Sequence, residues 1–202
     1  MKKILLKAIL AGLLIGIAGT IYLKIDNKII GSLFFSFGLL VICCRNYYLY
    51  TGKVAYLITK KYNLKEILLI ILGNLIGTLL VSLIIRYTNN DLVLKVNNML
   101  DKKLSHNYLE LLLLGLFCGI LMYLAVDTYN NSKSDLSKIF ILTLAVSIFI
   151  LCGFEHSIAD MFYIFLSGKI SFIIVLKLFT ILIGNALGAI SFCFIENKIS
   201  LG

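Results

Sequence analysis

Six apolar runs, each about 20 residues or longer, fill most of this sequence, at about 4–23, 29–60, 64–86, 106–127, 137–167 and 170–196. A helix needs about 20 apolar residues to cross the hydrocarbon core of a bilayer, so each run is long enough to span it. Hydrophobic residues make up 60% of the 202-residue chain and charged residues only 14%, more apolar surface than a soluble fold of this length can hide. The expected fold is therefore an all-α membrane protein with six transmembrane helices. The N-terminal MKKILLKAILAGLLIG superficially resembles a signal peptide. It lacks a clear small-residue cleavage site and its apolar stretch continues to Leu23, so it reads as a retained first span.

The net charge of +9 falls mostly between the apolar runs and not along one face. No helix or sheet face is both basic and aromatic, which argues against nucleic acid as a partner. Lysines 2, 3 and 7, then 60, 61 and 65, set against a more mixed opposite side, favour both termini in the cytoplasm. The five cysteines lie inside apolar runs without metal-type spacing, and neither a metal nor another cofactor is expected.

Two runs are too long for one span, and each is interrupted. Arg45-Asn46 breaks the second ahead of Leu49-Tyr50-Thr51-Gly52-Lys53, and Gly153-Phe154-Glu155-His156 breaks the fifth. The third run carries Gly73-Asn74-Leu75-Ile76-Gly77-Thr78 and the sixth carries Gly184-Asn185-Ala186-Leu187-Gly188-Ala189. Small residues at this spacing let helices approach closely, so packing is the plain reading of both segments. Two copies at equivalent positions, each following a broken span, further imply an inverted repeat. Its halves would be about 1–86 and 106–196, joined by a loop at 87–105 within one channel domain over 1–202. Non-helical backbone at membrane depth is tolerated inside protein or against a watery cavity, so the two breaks should line a pathway.

Ionisable groups at such a depth are costly and point to function. His156 can hydrogen-bond an anion, hand a proton to a weak-acid anion, or serve structurally by bonding a backbone carbonyl. Glu155 can tie a helix end. Lys103 can concentrate anions at a mouth or be a solvated loop lysine. Arg45 can snorkel, pair with Glu155 or Asp160, or attract anions.

The segment Gly153-Phe154-Glu155-His156-Ser157-Ile158-Ala159-Asp160-Met161-Phe162 resembles the GFEHS-x-AN-MF signature of the formate/nitrite transporter family. Leu49-Tyr50-Thr51-Gly52 resembles that family's LFTG loop. Phe35-Ser36-Phe37-Gly38-Leu39 resembles its FS-x-GL run, and Leu124-Ala125-Val126 its fourth-span LAV. The resemblance implies an aquaporin-like inverted 3+3 repeat with broken second and fifth helices. It implies a homopentamer in the cell (plasma or inner) membrane, with one pore per protomer passing formate, nitrite, hydrosulfide or a similar small anion. It carries the central histidine onto His156, the loop threonine onto Thr51 and the pore constrictions onto Phe35, Leu39, Leu49, Tyr50 and Phe149. It carries the vestibule lysine onto Lys103 and the helix-capping glutamate onto Glu155. Asn74, Asn185, Gly119 and Asp160 are expected to support the pathway. The sequence departs from the family pattern at Gly119, where an amide is usual, and at Asp160, where an asparagine is usual. Tyr50 replaces a phenylalanine, Phe165 stands where the family has a proline, and Arg45-Asn46-Tyr47-Tyr48 replaces acidic or small residues.

Three rivals accompany the anion pore. One is a neutral-solute channel passing water or undissociated acid, with a structural histidine. Another is an intramembrane enzyme using Glu155, His156 and Asp160, and the third is a structural assembly protein. The partners expected for the pore are a small inorganic or carboxylate anion and membrane lipid.

Overall fold

The computed structural model describes residues 1–200. Four of its helices are long and apolar enough to cross a membrane: α1 (Lys2–Lys24), α3 (Leu64–Thr88), α5 (Tyr108–Asn131) and α8 (Phe172–Ser200). The other two spans are broken. The second comprises α2 (Lys28–Cys44) and two short 3-10 turns, Tyr50–Gly52 and Val54–Leu57. The fifth comprises α6 (Asp135–Leu151) and α7 (Ser157–Ser167). The expected six-span inverted repeat with broken second and fifth helices is the observed fold.

Each break opens on a left-handed residue. Asn46 follows α2 with φ 51°, and Gly153 follows α6 with φ 71°. Asparagine and glycine tolerate this region best, which is why the chain can reverse there. The returning segment of the first half starts with Thr51-Gly52, both poor helix formers, and stays a 3-10 turn. Its counterpart in the second half, with Ala159-Asp160-Met161-Phe162, becomes the α-helix α7.

The halves are tied internally by α1 on α3 and α5 on α8, with α2 against α6 across the middle. Glycine permits the first two contacts. A Cβ on Gly12 would stand 2.3 Å from the carbonyl oxygen of Asn74, and one on Gly119 would stand 2.1 Å from that of Asn185. Backbones this close exclude any larger residue without separating the helices. Gly119 is therefore a packing position, with no room for the amide that the family pattern places there.

The linker expected as a loop over 87–105 is instead largely helical, as α4 (Asn90–Leu104). Leu92, Val96 and Leu100 recur every fourth residue and are buried, while the other faces carry Asn and Lys. Lys95 pairs with Asp26 at 2.6 Å and holds that exposed carboxyl below its usual range. Asp101 pairs with Lys169 at 2.5 Å. These contacts lay α4 across one end of the bundle, the α4 face. The start of α1 and the end of α8 lie at the opposite face, where Tyr123 Oη donates to Glu196 at 2.7 Å.

Candidate functional site

Both broken spans return to the middle of the bundle, and an asparagine holds each tip. In the first half, Asn74 Nδ2 donates to the carbonyls of Ala8 (2.8 Å) and Tyr48 (2.9 Å), while its Oδ1 accepts from the Tyr50 N–H (2.9 Å). In the second, Asn185 Nδ2 donates to the carbonyls of Gly115 and Glu155 (2.8 Å each), and its Oδ1 accepts from the Ser157 N–H (3.0 Å). Both asparagines are fully buried. The repeated Gly-Asn segments thus do more than let helices approach. Their amides satisfy the backbone groups freed where the spans break, as a low-dielectric interior demands.

The two tips meet. Thr51 Oγ1 lies 3.0 Å from His156 Nε2. On its other side, His156 Nδ1 accepts from the Ala159 N–H at 3.1 Å and caps α7. This network assigns the neutral tautomer with its proton on Nε2. His156 then donates to Thr51, leaving the threonine proton free for a third group. The histidine, not Glu155 as the family role implied, is the side-chain cap. The Glu155 carboxylate is engaged elsewhere.

Apolar side chains bracket this pair. Phe35 and Phe149 meet edge to face at 5.8 Å, and Phe149 lies 5.5 Å from the His156 ring. Leu39 and Leu49 are as deeply buried. Tyr50 lies among them, but its hydroxyl donates to the Leu182 carbonyl at 2.8 Å, so it adds no free donor to the constriction. A cavity of about 280 Å³ reaches from the α4 face down to Phe149 and His156. A much smaller one, about 10 Å³ and enough for a single water, sits below Leu49 on the other face.

Lys103 lines the larger cavity, as the resemblance implied, but it is not a free cation. Its ammonium contacts Glu155 Oε2 and lies 3.1 Å from Asp160 Oδ1. Two buried carboxylates thus share one lysine, and neither Asp160 oxygen has a hydrogen-bond partner of good geometry. Arg45, weighed as a partner for these acids, is instead exposed near the other end of the bundle, beside Asn46, whose carbonyl accepts from Lys7 at 2.9 Å. Replacing Asp160 with asparagine should raise thermal stability, because it removes one of two acids competing for one ammonium. A melting curve of the variant in detergent checks this, and a lowered melting temperature would contradict it.

Residues 1–197 match the family described as formate/nitrite transporter. The chain belongs to that family. The formate channel FocA of Escherichia coli K12 is 31% identical over 180 residues, covering 78% of this chain and 63% of that protein. The FocA of Haemophilus influenzae is 26% identical over 151 residues, covering 68% and 53%. The chain thus spans less than two thirds of the length of these relatives. A solved structure described as a pentameric formate channel with formate bound superposes with a TM-score of 0.85. It is 27% identical, and the match covers 99% of this chain and 97% of that one. Membership in the formate/nitrite transporter family, with the six-span fold, makes this a multi-pass membrane protein and speaks against the enzyme weighed from Glu155, His156 and Asp160.

Proposed function

We propose that residues 1–202 form one channel domain that passes a small monovalent weak-acid anion, formate, nitrite or hydrosulfide, between the two broken spans. The observation that carries this reading is the Thr51–His156 pair, the polar contact between rings of apolar side chains. An anion that sheds water between Phe35, Phe149, Leu39 and Leu49 needs donors at that point. Thr51 Oγ–H supplies one at rest, and His156 Nε2–H supplies a second only by leaving the threonine oxygen for the anion. A proton taken up at Nδ1 would break the Ala159 cap, so the resting histidine acts as a neutral donor, and acid conditions that form the imidazolium let it pass a proton to the anion. Relatives named as formate channels and the pentameric solved structure support formate as first candidate and a homopentamer as the assembly. The lysines near the start of α1 support cytoplasmic termini in a plasma or inner membrane.

The neutral cap on His156 also favours a second reading, a channel for undissociated acid in which the histidine is structural. Uptake into proteoliposomes, compared for formate, nitrite and hydrosulfide from pH 5 to 8, separates the two. Saturable uptake that follows the anion concentration supports the first. Unsaturable uptake that follows the neutral acid alone supports the second.

A further inference from the structure

The inverted repeat places opposite charges at equivalent positions of the two halves. The hydrogen bonds of Asn74 and Asn185 set the register, pairing Ala8 with Gly115, Tyr48 with Glu155 and Tyr50 with Ser157. In this register His156 is paired with Leu49. Three residues beyond Tyr50 stands Lys53, and three beyond Ser157 stands Asp160. Each is buried in its own mouth, Lys53 at 8% and Asp160 at 3% exposure.

Their surroundings differ in one decisive way. Asp160 shares the Lys103 ammonium with Glu155, so the cations left unpaired around the α4-face cavity, Lys28 and Lys102, are exposed ones. No carboxylate pairs with Lys53 among the described residues. The charged groups that act on it are Lys61 and Lys7, both cations, besides the Cys43 thiol. Its ammonium lies 5.6 Å from the Tyr48 ring and 5.9 Å from the Tyr62 ring. Ring faces stabilise a cation but occupy none of its N–H donors as a carboxylate would. Together with Asn46, Gly52 and Asn130, Lys53 also lines the one-water cavity at Leu49, which must widen for an anion to reach the ammonium.

We infer that Lys53 forms a binding site for a small monovalent anion, such as a carboxylate or nitrite, at the mouth opposite α4. A buried ammonium with no carboxylate against it among the described residues is stabilised by an anion beside it. The anion would take the donors of Lys53 on one side of Leu49 before meeting Thr51 and His156 on the other. The pathway is then polarised, with its anion-attracting mouth on the face that carries the start of α1.

This inference rests on the anion-channel reading, and the test keeps the two apart. Uptake of radiolabelled formate is measured as a function of concentration in everted and right-side-out vesicles. The wild-type chain should half-saturate at a lower concentration from the Lys53 face than from the α4 face. Lys53→Met should raise the Lys53-face value about tenfold, the effect of losing one charge-assisted contact, and abolish the difference. Permeability at vanishing concentration should fall in both directions, as detailed balance requires. Lys53→Arg should stay within about twofold of the wild type. Lys53→Gln, also uncharged, should match Lys53→Met and serves if the methionine variant fails to fold. Wild-type uptake with a half-saturation that neither uncharged variant alters would overturn the site alone. No uptake of any anion by the folded wild type would overturn the channel reading and the site with it.

Discussion

Replacing His156 with phenylalanine is expected to lower formate uptake about 10–100-fold, the effect of losing one hydrogen bond to a charged group at the narrowest point. Phenylalanine fits beside Phe149, but it deletes two contacts at once, the Nε2 bond to Thr51 and the Nδ1 cap on Ala159. The cap alone is worth about 1 kcal/mol, so a fall in uptake could reflect a loosened α7. His156→Asn separates the roles. Its carbonyl oxygen can cap the Ala159 N–H as histidine does now, while no ring nitrogen remains to donate to Thr51 or to take up a proton in acid. That variant should melt within about 1 kcal/mol of the wild type. Its uptake should lose any rise on acidification that His156 protonation gives the wild type. The comparison is made with melting curves and initial uptake rates on the same preparations. Unchanged rate and pH dependence in both variants would remove His156 from the transport mechanism.

How much of this was visible in the sequence depends on what carried each feature. The broken spans were legible because Arg45-Asn46 and Gly153 to His156 are polar or conformationally unusual residues inside apolar runs, where the bilayer makes any exception conspicuous. The meeting of Thr51 and His156 came from resemblance to family motifs, since no spacing relates two residues so far apart in the chain. Helix α4 was missed because its apolar face amounts to Leu92, Val96 and Leu100 within a stretch rich in Asn and Lys, which reads as a loop. The pairing of Lys103 with Glu155 and Asp160 was equally hidden. Lys53 was quoted within the loop motif yet drew no notice. Its meaning lies in having no acidic neighbour among the described residues, which only the packed structure reveals.

The role of the repeated asparagines was half legible. The Gly-Asn segments were visible as packing motifs, but their partners are backbone carbonyls and N–H groups, which no side-chain pattern marks. From those partners follows the largest stability effect expected anywhere in the chain. Asn185→Leu keeps the volume of the side chain and removes its polar atoms. It strands the carbonyls of Gly115 and Glu155 and the N–H of Ser157 in a buried setting. Each stranded group costs about 1–3 kcal/mol, so the total is on the order of 3–9 kcal/mol, comparable to the whole stability of a typical domain. The variant should lose the monodisperse elution of the wild type in detergent. Asn74→Leu should do the same, because Ala8, Tyr48 and Tyr50 present the matching set of groups in the other half. Asn185→Asp is the informative intermediate. It still accepts from Ser157, but it turns two donated bonds into contacts between a carboxylate and carbonyl oxygens, so it too should fail. A milder defect for Asp than for Leu would assign most of the stabilisation to the Ser157 bond at the start of α7. If both leucine variants eluted and melted like the wild type, the asparagines would not be what holds the two tips at the centre of the pathway.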